Sequence, residues 1–166
     1  MNTDKALYNQ KIFFQVIFSD ESSFEVQLAQ PRLVRRGSEP IRDAHIAQRV
    51  KRPQMVMIWG CMSSRGFGKI HIVEGSMDSR QYAGVIQSRL LPQAAEWFQG
   101  NSWIFMQDNA PCHTSRMTKA VFDQNSIEVL PWPSNSPDMN PIETVWGFMK
   151  QKINQEISTS KQSLIN

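Results

Sequence analysis

Three acids in this sequence are placed where they can do chemistry. Asp20 follows the apolar run KIFFQVIFS (Lys11–Ser19), Asp108 follows SWIFMQ (Ser102–Gln107), and Glu143 stands three residues after Asn140, where a new apolar periodicity begins. Carboxylates gathered in one place repel each other unless cations neutralise them, and hard oxygen donors suit Mg2+ or Mn2+. Two such ions roughly 3.5–4 Å apart activate a water or a 3′-hydroxyl and stabilise the leaving oxygen of an in-line phosphoryl displacement. The chemistry a triad of this kind points to is cutting and joining of phosphodiesters. Each acid also has an ordinary use. Aspartates commonly open turns, and a glutamate three residues after an asparagine N-cap completes a capping box. Spacing by itself leaves both uses open.

Gathering these acids requires particular elements. Lys11–Ser19 is almost continuously apolar and reads as a strand buried on both faces, delivering Asp20 at its C-terminal end. Ser23–Leu28 is expected to pair with it. Gln54–Met62 and Lys69–Val73 read as a hairpin turned at Ser63–Gly68, and Ser102–Gln107 as a second buried strand ending on an aspartate. Tyr82, Val85, Ile86, Leu90, Ala94 and Trp97 recur at helical spacing between Ser79 and Phe98, with Asp78 as N-cap and Pro92 as a bend or break. His113–Gln124 is predicted to be helical and Ile127–Leu130 a short strand. The four prolines of Pro131–Pro141 make a stiff connector. After it, Asn140 as N-cap and Pro141 at the first helical position begin a helix that carries Ile142, Val145, Trp146, Met149 and Ile153 on one face. Glu143 falls at the border of that stripe. If the strands of Asp20 and Asp108 are neighbours, about 5 Å separates their ends, and a helix packed across the sheet brings Glu143 alongside.

The 166 residues, 40% of them hydrophobic, suffice for one α/β domain spanning 1–166. No signal-peptide pattern and no apolar run of membrane-spanning length occurs, so an intracellular protein without a membrane partner is expected. Cys61 and Cys112 form no C-x-x-C pair, which argues against a disulfide scaffold or structural zinc. The net charge of +3 is modest, but it is unevenly placed: residues 28–53, including Arg32, Arg35, Arg36 and Arg42, are net +5, and the remaining residues sum to about −2. Bracketed by Pro31, Gly37, Pro40 and Pro53, this stretch reads as a long basic loop.

FSDESSF (Phe18–Phe24), VMIWGCMSSRG (Val56–Gly66), WIFMQDNAPCHTS (Trp103–Ser115) and LPWPSNSPDMNPIETVW (Leu130–Trp146) together resemble the catalytic core of mariner-superfamily transposases of the Tc branch, in the family's order. The pairing of Q-D-N-x-P-x-H with S-P-D-x-N-P-I-E is specific, and the 34 residues between Asp108 and Glu143 match the family's spacing.

That resemblance implies an RNase H-like fold, a mixed sheet flanked by helices. It makes Asp20, Asp108 and Glu143 the catalytic metal ligands, selecting Glu143 over Asp138, with Mg2+ or Mn2+ as the cofactor, two ions in number. Asn109 and His113 match the family motif as residues behind the ligands or facing DNA, and not as ligands. The implied activity is cleavage at transposon ends and strand transfer into target DNA at TA. The implied partner is double-stranded DNA, bound as a homodimer in the nucleus, with the 28–53 loop as a clamp between subunits or a phosphate contact. A different class of function, a catalytically silent DNA-binding or assembly domain descended from such an enzyme, is the alternative. Two departures stand out: VKRPQ (Val50–Gln54) replaces the family's glycine-rich stretch, and the family's N-terminal helix-turn-helix pair has no counterpart, so a catalytic-domain fragment or a descendant without that module is expected.

Overall fold

A computed structural model describes residues 13–25, 55–133 and 139–155 of the chain. Its spine is β1 (Val16–Glu25), which pairs along its length with β2 (Met55–Ser63) antiparallel, from Phe18↔Met62 to Glu25↔Met55. On its other side β1 pairs with β5 (Ile104–Met106) in parallel, over Val16↔Ile104 to Phe18↔Met106 only. β6 (Glu128–Val129) extends the parallel half beyond β5. β3 (Gly66–Phe67) and β4 (His71–Val73) both pair with the outer edge of β2. The sheet is thus mixed, with β1 at the seam between its antiparallel and parallel halves.

Two expectations about β1 need correction. The strand does not end at Asp20, and Ser23–Glu25 is not a separate partner but the continuation of the same strand. The reason is the asymmetry of its neighbours: β5 stops pairing at Phe18, while β2 continues to satisfy the backbone for seven residues more. Asp20 therefore lies mid-strand, at the point where one neighbour has left.

The hairpin forms as predicted, with an irregularity. Partner numbers shift by one between β3 and β4, and Gly68 N–H bonds Cys61 O at 2.8 Å in the gap. A Cβ at Gly68 would meet Cys61 Sγ at 2.7 Å, so the close approach requires glycine. The helix expected over Ser79–Phe98 is present but not uniform. α1 (Ser79–Val85), capped by Asp78 Oδ1 on Gln81 N–H at 2.8 Å, passes through a π-helical turn (Ile86–Leu90) into α2 (Leu91–Phe98). Pro92 has no N–H to return to the preceding turn, and the wider turn, closed by Leu91 N–H on Ile86 O, accommodates it. α3 (Arg116–Gln124) begins three residues later than predicted, because Ser115, not His113, takes the N-cap and accepts Thr118 N–H. α4 (Pro141–Gln155) starts where the proline signal places it.

Alternation along β1 divides the core. Ile17 packs with Trp59, Tyr82, Ile86, Leu90, Phe105 and Phe122 beneath α1–α3. On the opposite face Phe24, Val56, Ile58, Ile142 and Trp146 pack beneath α4, and Val16, Phe18 and Met106 form a smaller cluster beside them. Helices cover both faces, and among the described residues none is long and apolar enough to cross a membrane.

Two glycines should respond oppositely to alanine. A Cβ at Gly60 would lie 2.7 Å from the Trp146 ring, whereas one at Gly84, on the exposed side of α1, meets nothing within 4 Å. Thermal denaturation should show Gly60→Ala destabilised by roughly 1–3 kcal/mol and Gly84→Ala stabilised by about 0.5–1 kcal/mol.

Candidate catalytic carboxylate site

Asp20, within β1, and Asp108, past the end of β5, stand at matching offsets from the parallel pairing of those two strands. Each lies two residues beyond the last paired couple, Phe18↔Met106. Ser19 strengthens this junction by donating its hydroxyl to Met106 O at 3.0 Å. α4 is tied to the same point: Asn140 Nδ2 donates to Ser19 O at 3.2 Å, while its backbone O accepts Glu143 N–H at 3.1 Å. One asparagine thereby fixes the first turn of α4, which carries Glu143, against the strand residue preceding Asp20. Glu143 itself is exposed beside the buried Ile142.

The electrostatics differ on the two sides of β1. Asp20 projects toward α4, where Trp146 Nε1–H donates to its Oδ2 at 3.0 Å. Burial, then the negative charges of Glu143 and Glu21, push its pKa from 3.8 up to about 7, more than the Glu21 backbone and Trp146 hydrogen bonds offset. Asp108 is held the other way. His113 Nδ1 lies 2.5 Å from Asp108 Oδ1, Ala110 N–H donates to the same oxygen at 2.9 Å, and the His113 hydrogen bond, opposed by burial, leads in drawing the carboxyl below its usual range.

The sequence holds no lysine or arginine directly beside the acids, and among the described residues the group that pairs with Asp108 and Glu21 is His113. It is 3% exposed, its Nε2 lies 3.1 Å from Glu21 Oε1, and both ring nitrogens thus face carboxylates. Burial alone would lower its pKa, but the hydrogen bonds to Asp108 and Glu21 outweigh that and raise it to about 9. Tyr82 stacks on the ring at 4.0 Å between centroids and donates its hydroxyl to Gln107 Oε1 at 2.6 Å, and Gln107 Nε2 donates to His113 O. The His113 backbone also makes the local bond to Ala110 O that a helix-start residue would make. Buried in this way, His113 stands behind Asp108. Asn109 is exposed and donates its Nδ2 to Trp132 O at 3.1 Å, pinning the proline-rich connector beside the site. A cleft of about 400 Å3 opens there, lined by Asp108, Asn109, His113, Lys119 and Trp132.

Glu21, Trp146 and Gly60 are the site neighbours that sequence reading missed. Gly60 follows only once β1 and β2 are known to pair Asp20 with it, and Trp146 only from the packing of α4 over that pair. Cys61 and Cys112 are free thiols, and burial pushes Cys61 up to about 12 and raises Cys112 too, so neither is a ready nucleophile. Among the described residues no three His, Cys, Asp or Glu side chains are gathered tightly enough to hold an ion. Asp20 and Glu143 nonetheless form an acidic pair without a basic partner in the interactions that set the Asp20 pKa, and their hard oxygens fit a divalent cation. Arg32, Arg35, Arg36, Arg42 and Asp138 lie outside the described residues.

Residues 15–165 match the model of the DDE superfamily endonuclease family. The chain belongs to that family. It is 38% identical to the Tcb1 transposase of Caenorhabditis briggsae over 98 residues, covering 59% of this chain and 36% of that protein. It is 29% identical to the Tc3 transposase of Caenorhabditis elegans over 160 residues, covering 92% of this chain and 48% of that protein. The chain therefore spans about half or less of the curated relatives it matches. The catalytic domain of Mos1 mariner transposase superposes with a TM-score of 0.69 at 16% identity, over 96% of this chain and 70% of that one. The fold is the RNase H-like one expected.

The raised pKa values of Asp20 and His113 give this DDE family member a pH signature. Asp20 binds its proton more tightly folded than unfolded, so the stability it contributes below pH 3.8 is lost as pH rises through about 7. His113 likewise contributes fully below 6.5 and loses its contribution as pH rises through about 9. Melting temperatures in EDTA should therefore fall toward alkaline pH. Asp20→Asn should melt higher than the parent at about pH 8, by roughly 2–4 °C for each kcal/mol recovered. His113→Gln should lose the part of the slope between 6.5 and 9.

Proposed function

We propose that this chain is the catalytic core of a cut-and-paste DNA transposase that hydrolyses phosphodiesters at transposon ends and joins the freed 3′-hydroxyl to target DNA, with TA as the target step. The observation that carries the reading is the placement of Asp20 and Asp108 at matched positions past the last parallel pair, with Glu143 on a helix anchored to the same strand. Support comes also from the relatives, which are transposases, and from Mos1, whose catalytic domain has been solved with Mg and with Mn and whose complexes contain transposon ends.

In this reading Asp20, Asp108 and Glu143 would hold Mg2+ or Mn2+, two ions, which would supply Lewis acidity for phosphodiester cleavage and joining. The chain's own contributions are distinct. Asp20 must give up the proton that burial and Glu143 help it retain. His113 keeps Asp108 ionised, and Asn109 holds the connector, keeping open the cleft beside Asp108. The basic residues of 28–53 meet phosphate or the second subunit of a DNA-bound dimer.

Two measurements test this. In a full-length protein that carries an end-recognition module, Asp108→Asn and Glu143→Gln should each reduce strand cleavage by at least about a thousandfold, on the scale of losing an essential electrostatic group, with the melting temperature of Glu143→Gln near the parent's. Cleavage at the parent rate by Glu143→Gln would leave Glu143 as a helix-start residue only. Parent-level cleavage by both would refute the triad, and a full-length parent that binds DNA yet never cleaves would favour the silent assembly domain. Separately, replacing Arg32, Arg35, Arg36 and Arg42 with Ala should lower the salt slope of DNA binding by roughly one unit for each phosphate no longer neutralised, or change the mass of the complex if the segment clamps a subunit. No change in either would make it a solvated connector.

A further inference from the structure

Asp20 faces position 60 across the β1–β2 ladder, and that position is glycine. Residues opposite each other in an antiparallel pair project to the same face, so any side chain at 60 would stand beside the Asp20 carboxylate. The space is instead taken by the benzo ring of Trp146, whose Cη2 and Cζ2 would lie 2.7 and 3.2 Å from a Cβ at Gly60. Phe67 and Phe24 meet the indole edge-on, with centroids at 5.6 and 6.1 Å and interplanar angles of 82° and 80°. Held by these neighbours and 1% exposed, the ring has little freedom to turn. Its one polar atom, Nε1, donates to Asp20 Oδ2 at 3.0 Å. Trp146 also lies three residues after Glu143, so the two share one side of α4.

We propose that Trp146, seated in the slot that Gly60 leaves open, is a positioning residue: its indole N–H fixes the plane of the Asp20 carboxylate so that Asp20 and Glu143 take a divalent cation together. This rests on the reading of Asp20 as a metal ligand given above. An indole N–H is a donor only and never competes for the cation. A buried aromatic ring also holds that donor more rigidly than a flexible polar side chain would. Hydrogen bonds that orient a ligand from behind typically govern affinity by about 10- to 100-fold.

Mn2+ is the probe, titrated into the chain itself and followed by calorimetry and by the loss of the free-ion electron paramagnetic resonance signal. The proteins compared are the parent, Asp20→Asn, Trp146→Phe, and a form carrying β-(3-benzothienyl)alanine at position 146, which keeps the shape of the indole but replaces N–H with sulfur. Melting in EDTA monitors folding of each. Asp20→Asn should lose Mn2+ binding, and both position-146 forms should bind at least about tenfold more weakly than the parent, the benzothienyl form while melting within a few degrees of it. If the benzothienyl form binds Mn2+ as the parent does while Asp20→Asn does not bind, the indole N–H has no positioning role and the proposal is overturned with the metal site intact. The benzothienyl form decides this even if Trp146→Phe is unstable. If Asp20→Asn binds like the parent, or the parent takes up no Mn2+ at millimolar concentration, the metal-ligand reading itself fails and this inference fails with it.

Discussion

A carboxylate held mid-strand beneath a helix, with acids as neighbours, is the constraint around which this structure is arranged. Asp20 cannot be fully solvated, because β2 continues beside it and α4 crosses over it, and it lies within range of the charges of Glu143 and Glu21. A fold selected for stability alone would place an apolar residue there. Here the surrounding residues accommodate the acid: Gly60 brings no side chain, Trp146 fills the space and offers one hydrogen bond, and Asn140 ties the start of α4 to Ser19 O. Keeping an acid in such a place is what a site that binds a cation would require, since the cation offsets the repulsion.

The opposite face of β1 solves the same problem differently. One residue on, Glu21 points the other way and meets His113, which also holds Asp108. A buried imidazole between two carboxylates, stacked on Tyr82 and backed by Gln107, is a charge arrangement satisfied within the protein. Two acids adjacent in sequence thus meet different partners, Trp146 for Asp20 and His113 for Glu21, and the pleat of the strand is the cause. The Q-D-N-x-P-x-H segment is accordingly a structural unit: Gln107 and His113 brace each other, Asp108 is held at the mouth of the sheet, and Asn109 secures the connector at Trp132.

Much of this was legible in the chain itself. Apolar runs ending on Asp20 and Asp108, the asparagine and proline that start α4, the cap at Asp78 and the disturbance around Pro92 are local signals, and local signals survive because they depend on backbone chemistry near the residue that sends them. The motif order also pointed to the family and fold that the comparisons show. Helix and strand ends were less secure. β1 ran past Asp20 because a strand ends where its partners end, and His113 was drawn toward its acids and left Ser115 to cap α3.

What the amino-acid order determined by itself was which residues carry charge, where the elements begin, and which motifs belong together. Tertiary structure alone decided that Asp20 faces Gly60, that the indole of Trp146 donates to it across 126 positions, and that His113 spans 92 positions to Glu21. Pairing register and the face a side chain takes are set by long-range packing, where a slip of one residue would reverse every assignment on β1. No local pattern records that choice, because both faces of β1 are covered and its apolar run reads the same from either side.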